Sequence, residues 1–279
     1  MSFLQAVVLG ITQGITEFLP ISSDGHLILM PALLGWERFG LGFDVVLHLG
    51  TLIATIVYFR VDLWHMATAV FTKTAAKAHD RRIAWLVIFG TIPSVIIALT
   101  FESMVDGVET LSMATQVYIV GWFLLITAAL LAGSELMAKR MLAKGSPQAA
   151  HDIPLWKALA IGTAQGFAIA PGLSRSGTTI AAGIALGMDR EQAARFSFLL
   201  SVPIIAAATA KKVLLDVVVA GGSLPPLGVT VLAVVTTTIV GYGAISFLLP
   251  FVRNYSLGYF AAYTALLGAG ILVARLVSA

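Results

Sequence analysis

Six stretches of this chain, near residues 43–59, 83–101, 114–134, 196–213, 229–250 and 257–275, are almost continuously apolar. Each is close to the ~20 residues a helix needs to cross a bilayer. No fold limited to water can accommodate six such runs in 279 residues. Their apolar residues do not alternate with period two, as the strands of a membrane barrel would. Composition agrees, because only 11% of residues are charged, against about 25% in soluble domains. The expected class is an all-α integral membrane protein forming one polytopic domain over residues 1–279.

The few charges set an orientation. Arg60, Lys73, Lys77, Arg81 and Arg82 crowd the segment 60–82, and Lys139, Arg140, Lys144 and Lys157 crowd 135–157. Between them, 102–113 carries Glu102, Asp106 and Glu109 and no basic residue. Basic loops stay on the cytoplasmic side, so 60–82 and 135–157 are expected inside and 102–113 outside. Lys211 and Lys212 then fall near the outer end of their span, against that bias. With a net charge of only +3, the basic residues read as topology signals and not as a nucleic-acid surface. The chain has no cysteine, which excludes disulfides and thiol chemistry. The first apolar run has no basic leader and contains Gln13 and Glu17, so it reads as mature structure.

Displacing the chain by 152 residues aligns LGITQGITEFLPISSDGHLI with IGTAQGFAIAPGLSRSGTTI. Over residues 9–38 the identities are Gly10/Gly162, Gln13/Gln165, Gly14/Gly166, Ser22/Ser174, Gly25/Gly177, Ile28/Ile180, Leu34/Leu186, Gly35/Gly187 and Arg38/Arg190. Apolar bias alone would give roughly three. The chain therefore reads as two related units, approximately 1–134 and 153–279. Each repeated stretch joins two short apolar helices broken by Pro20 and Gly25 or by Pro171, Gly172 and Gly177. Such a pair enters and leaves on one side of the membrane. Three full spans separate the two pairs, which inverts the second, so the pairs would meet near the midplane. The predicted architecture is about six transmembrane helices plus two re-entrant helix pairs in an inverted-topology repeat.

Both polar turns carry chemistry. In the first, QGITEFLPISSDGH, Gln13 and Glu17 share a helix face at i, i+4. Glu17 is a hard oxygen ligand suited to Mg²⁺ or Ca²⁺, and Gln13 can add a carbonyl oxygen. Past Pro20 the chain presents Ser22, Ser23 and His26, with Ser23 and His26 a candidate nucleophile and base. In a soluble chain Glu17 and His26 would read as polar groups sealing a helix end. Within a membrane ionisable groups are expensive, which favours function. In the second, PGLSRSGTT, the hydroxyls of Ser174, Ser176, Thr178 and Thr179 surround Arg175. A helix starting near Ser176 would add its N-terminal dipole, making a bowl for phosphate. Asp44 and His48, again i, i+4 and near the first polar run, could support that run or contact a head group, and read first as interhelical hydrogen-bond partners. Gln165 is expected to hold the crossing of the two re-entrant units.

Together with FSFLLSVP at 196–203, these motifs resemble the undecaprenyl pyrophosphate phosphatases, the bacitracin-resistance membrane proteins, over nearly the whole chain. The resemblance implies hydrolysis of the C55 isoprenyl diphosphate to the monophosphate and inorganic phosphate, recycling the lipid carrier for peptidoglycan. It implies Glu17, Ser23, His26 and Arg175 as catalytic residues and Ser22, Ser174, Arg175, Ser176, Gly177 and Thr179 as phosphate-binding residues. It also implies Glu17 with Gln13 on a divalent cation, Mg²⁺ or Ca²⁺. Asp24 stands where the family more usually has Thr or Ser. The partners so implied are a polyprenyl diphosphate and the bilayer, with no nucleic acid, and the glycine-rich helices permit a homodimer. The expected location is the bacterial plasma (inner) membrane, with the site open to the outer face. The nucleophile stays open between Ser23, His26 and a water activated by His26. A lipid-phosphate flippase with the same inverted repeat is the rival function.

Overall fold

A computed structural model describes residues 1–37, 40–72, 74–142, 150–215 and 225–278. Arg38, Lys73 and Lys144 lie outside the described residues. The chain is all-helical where described. Its helices are α1 (Phe3–Thr16), α2 (Ser23–Leu34), α3 (Gly40–Tyr58), α4 (Arg60–Val70), α5 (Ala78–Glu109), α6 (Met113–Leu142), α7 (Leu155–Phe167), α8 (Arg175–Ala185), α9 (Arg190–Lys212), α10 (Leu227–Asn254) and α11 (Gly258–Ser278).

Five of these, α5, α6, α9, α10 and α11, are long and apolar enough to cross a membrane, and the bent pair α3–α4 makes a sixth. Their outward residues stay apolar, as at Ile96, Ile239 and Leu266, which is what a lipid-facing surface requires. Two expected loops are helical. The segment after Tyr58 turns by 77° and continues as α4, where Asp62 bonds Arg195 of α9 at 2.9 Å. The acidic segment 102–113 is largely the last turns of α5. Charge marked the ends of these spans, but a helix does not stop where charge begins.

α1, α2, α7 and α8 have 14, 12, 13 and 11 residues, at 1.5 Å each too short to span ~30 Å of hydrocarbon. Each short pair lodges within the bundle, and small residues allow it. A Cβ on Gly14 of α1 would stand 2.8 Å from Val240 of α10. In the other half, a Cβ on Gly162 of α7 would lie 1.7 Å from the carbonyl oxygen of Gly90 in α5. The aligned glycines thus seat α1 on α10 and α7 on α5, the first helix of each unit packing on a long helix of the other. Small residues let membrane helices approach this closely. The two turns also touch reciprocally. A Cβ on Gly25 would be 3.3 Å from Gly172, and one on Gly177 would be 3.4 Å from Pro20. Under the 152-residue displacement Gly25 matches Gly177 and Pro20 matches Gly172, so these contacts are copies of each other.

Behind the turns lies the main apolar core. Phe18 meets Phe198 edge to face at 5.5 Å, and both are fully buried with Phe59, Phe196, Ile180 and Ile184. Near the basic ends, Arg190 of α9 grips Glu135 of α6 with two bonds of 2.8 and 2.7 Å. The Leu257 N–H at the start of α11 donates to the same carboxylate at 3.0 Å. One ion pair therefore ties three helices.

Adding a methyl group at Gly162 collides with backbone and not with a yielding side chain. Gly162→Ala is expected to cost at least about 1–3 kcal/mol, read as a fall in thermal midpoint in detergent. Gly133→Ala, which meets nothing within 4 Å, should leave the midpoint unchanged.

Candidate active site

Each polar turn ends in a short helix whose first residue faces the other half. In the first, Ser22 is the N-cap of α2 and its hydroxyl accepts the Gly25 N–H. Ser22 is the one non-glycine residue with positive φ among those described, at φ 74°, a conformation costing of order 1–3 kcal/mol. In the second, Ser174 caps α8 in the same way, accepting from the Gly177 N–H at 3.0 Å. Serines cap helix starts because the short hydroxyl reaches an N–H that has no partner within the helix. Gly172 takes φ 97°, and a Cβ there would stand 2.8 Å from the Val120 carbonyl oxygen, so only glycine fits. Thr127 of α6 pins this turn, donating to the Gly172 carbonyl at 3.2 Å and accepting the Ser174 N–H at 3.1 Å.

These caps aim the first residues of α2 and α8, Ser23 and Arg175, at one carboxylate. Arg175 Nη2 bonds Glu17 Oε1 at 2.5 Å. Ser23 donates to Glu17 Oε2 at 2.5 Å, and Gln13 Nε2 donates to the same oxygen at 3.0 Å. Glu17 and Arg175, 158 residues apart in sequence, are therefore in direct contact. Both are largely buried, with side-chain exposures of 4% and 17%. Arg175 Nη1 is buried without a partner. Two hydroxyl pairs support the loop: Thr179 Oγ1 with Ser197 Oγ of α9 at 2.5 Å, and Ser174 Oγ with Ser176 Oγ at 3.3 Å. Ser176 also reaches the Leu19 carbonyl at 3.3 Å.

Glu17, Ser22, Ser23 and Arg175 line a cavity of about 290 Å³ with Asp24, Asp44 and His48. The remaining wall is mostly apolar, from Val105 of α5 and Ile204, Ile205 and Ala208 of α9. It includes Lys212 at the C-terminal end of α9, opposite the end holding Arg190 and Arg195.

Sequence reasoning set His48 apart as a structural partner. Its ring instead faces the cavity, with Nδ1 2.8 Å from the Asp44 carbonyl and Nε2 3.9 and 3.8 Å from Glu17 and Asp24. His26 stands elsewhere. Its Nδ1 lies 2.7 Å from the Ser22 carbonyl and Nε2 2.8 Å from the Tyr263 hydroxyl of α11. It lines a separate cavity with Met30 and Tyr259. A carbonyl only accepts, so Nδ1 carries the proton and Nε2 accepts from Tyr263. Gln165 does not reach the first re-entrant pair; its amide donates to Ser94 of α5, a long helix of the other unit, at 2.9 Å. Tyr263 and Thr127 carry no local signal in sequence. His48 had one, its place beside Asp44 in a span that opens just after the first turn.

As to a metal, the oxygen of Gln13 is buried with no partner, while the nitrogen of the same amide faces the Glu17 carboxylate, so a half-turn of the amide would bring both oxygens to one ion. These hard oxygens fit a divalent cation of the Mg²⁺ or Ca²⁺ type. Among the described residues no group of three His, Asp or Glu is arranged to hold an ion unaided. Substrate oxygens would complete the shell, as they commonly do for Mg²⁺.

Fold and cavity together define a polytopic membrane protein with a charged site sunk among its helices. A family described as "Bacitracin resistance protein BacA" matches residues 6–270, and the chain belongs to it. It is 39% identical over 280 residues to the undecaprenyl-diphosphatase of Chloroherpeton thalassium, covering 98% of this chain and 96% of that one. It is 42% identical over 278 residues to the undecaprenyl-diphosphatase of Geobacter metallireducens, covering 98% of each. It is 40% identical over 275 residues to undecaprenyl-diphosphatase 2 of Stutzerimonas stutzeri, again covering 98% of each.

Removing one partner of a buried ion pair strands the other. Arg175→Met alone is expected to cost about 3 kcal/mol, measured by thermal denaturation in detergent. The double variant Glu17→Gln/Arg175→Met should be less destabilised than that single variant.

Proposed function

We propose that this protein is a membrane phosphatase that hydrolyses undecaprenyl diphosphate to undecaprenyl monophosphate and inorganic phosphate. The carrying observation is the buried contact of Glu17 with both Ser23 and, across the two halves, Arg175, in a cavity whose remaining wall is mostly apolar. The family and the names of its relatives support the same reading. The charge bias of the loops supports a site that opens to the outer face of a bacterial plasma membrane, since Lys212 and Val105 lie at the ends away from the basic segments.

The terminal phosphate sits against Arg175, whose unpartnered Nη1 offers a donor, and against the hydroxyls and N–H groups at the start of α8. Phosphoryl transfer needs mainly positioning and charge neutralisation, so this clamp supplies most of the rate. Ser23 is the nucleophile. Its Oγ attacks the terminal phosphorus while its proton passes to Glu17 Oε2, to which it already donates. The new Oγ–P bond forms as the bond from phosphorus to the bridging oxygen breaks, and that oxygen leaves with the lipid monophosphate. Water then hydrolyses the phosphoserine, returning the proton to Ser23. A divalent cation held by Glu17 and Gln13 would neutralise diphosphate charge when bound. His26 acts through the backbone, holding the strained Ser22 carbonyl so that Ser23 points at Glu17.

The test is phosphate release from undecaprenyl diphosphate by purified protein in detergent, where no second compartment exists. Release is expected, and Arg175→Ala, assayed below its lowered thermal midpoint so that it remains folded, should lower kcat/KM by about 10²–10³-fold. A folded protein that releases no phosphate but moves the lipid across vesicles would favour the flippase.

His26→Asn keeps a donor where Nδ1 stands, and His26→Gln does not. His26→Asn should retain about a tenth or more of the wild-type kcat, with His26→Gln at least about tenfold lower still, the scale of one lost hydrogen bond in a strained turn. Equal inactivation of both would make His26 a proton carrier.

A further inference from the structure

Lys211 and Lys212 close α9 at the end where the distribution of charge disfavours lysine. The structure separates them. Lys211 pairs with Glu102 of α5. Lys212 lines the active-site cavity, and it also lines a second cavity of about 200 Å³ between α5 and α9. That groove is walled by Val95, Ala98, Leu99, Ile204 and Ala207, and it also touches the charged side chains of Glu102, Asp106 and Lys211. The two spaces share Val105, Ile169, Ile204, Ala208 and Lys212, so the active-site chamber runs into the groove with Lys212 at the junction. Leu99 is 57% exposed on the lipid side of the groove.

An ammonium here needs an anion. Among the described residues Arg175 is matched by Glu17, Lys211 by Glu102, Arg190 by Glu135 and Arg195 by Asp62. No carboxylate among them pairs with Lys212, and Asp106, which lines the same groove, forms no ion pair with it. An ionised group beside an apolar groove is costly unless partnered. A prenyl diphosphate has the matching layout: one phosphate at Arg175, a second next to it, then hydrocarbon. The molecule must turn from polar to apolar at one point, and the cavity does so at Lys212.

We propose that Lys212 binds the phosphate that remains on the lipid, and that the isoprene units beyond the first lie in the α5–α9 groove. This rests on the phosphatase reading above. Lys212 touches no reacting bond. It holds the substrate before transfer and the lipid monophosphate after it. Its loss therefore weakens binding of both and leaves the chemical step nearly intact. Lysine suits the task, being a compact charge on a flexible stem that can follow a phosphate which is not itself transferred.

The experiment uses the full chain in detergent with undecaprenyl, farnesyl and isopentenyl diphosphates. Lys212→Gln is expected to raise KM about tenfold for all three, the loss of one charge-assisted contact, with kcat within about twofold. Lys212→Arg should recover most of it. Product inhibition separates the two phosphates. In Lys212→Gln the inhibition constant of undecaprenyl monophosphate should rise about tenfold, and that of inorganic phosphate should stay put. Ala207→Phe, filling the groove, should raise KM for the two longer substrates and spare isopentenyl diphosphate, whose normal turnover also reports intact folding. A wild-type KM in Lys212→Gln, or a loss confined to kcat, overturns the proposal. So does an Ala207→Phe effect equal for all chain lengths. A wild-type protein that hydrolyses no prenyl diphosphate overturns the phosphatase reading itself, which is a different failure.

Discussion

The contact between Glu17 and Arg175 organises the molecule. Two ionised side chains from opposite halves are withdrawn from water into a bundle whose outer surface is hydrocarbon. Desolvating such a pair costs several kcal/mol per ion and is offset only by tight geometry and further hydrogen bonds. Ser23 and Gln13 provide those bonds on the Glu17 side. On the Arg175 side one nitrogen stays without a partner, and the arginine faces the cavity. The pair is thus closed on the carboxylate and open on the guanidinium, the polarity expected of a clamp for an anion. Everything that lets the halves approach serves this contact: the glycines seating α1 and α7, the αL turn at Gly172, and the reciprocal meeting of the turns at Gly25 and Gly177.

The 152-residue displacement relates two unlike residues that meet at one carboxylate. Under the 152-residue displacement Ser23 aligns with Arg175, each being the first residue of a short helix, and each following a capping serine. At this matched position one half presents a hydroxyl and the other a cation. Glu17 aligns with Ile169, so the carboxylate belongs to one half only. His26 aligns with Thr178. His26 bonds the Ser22 carbonyl, whereas the Thr178 hydroxyl is buried without a partner. Only the first turn carries the strained φ, and only it acquired an imidazole to hold it.

Much of this was legible in the residues. Apolar runs of membrane length marked the long helices. Gln13, Glu17, Ser23 and Arg175 stood out because polar side chains are expensive at that depth. The rest needed distances that sequence does not contain. His26 and His48 are both histidines near the first turn, and the motif favoured His26. Yet the direction of a helical side chain depends on rotation about the helix axis, and the broken turn at Pro20 and Ser22 resets that rotation. Tyr263 and Thr127 reach their partners from helices far along the chain. Lys212 was visible only as a lysine at the wrong end of a span, and its neighbour on the next helical position has a quite different fate.

The meeting of the two turns can be measured without reference to activity. The chain has no cysteine, so Pro20→Cys/Gly177→Cys introduces the only two thiols. The Pro20 Cβ and a Cβ at Gly177 lie 3.4 Å apart, close to the ~3.5–4.5 Å a disulfide spans. Mild oxidation of the protein in detergent should give near-complete linkage, detected as a single disulfide-joined peptide pair by mass spectrometry. Two thiols that remain free, each alkylated independently in folded protein, would contradict a shared pocket.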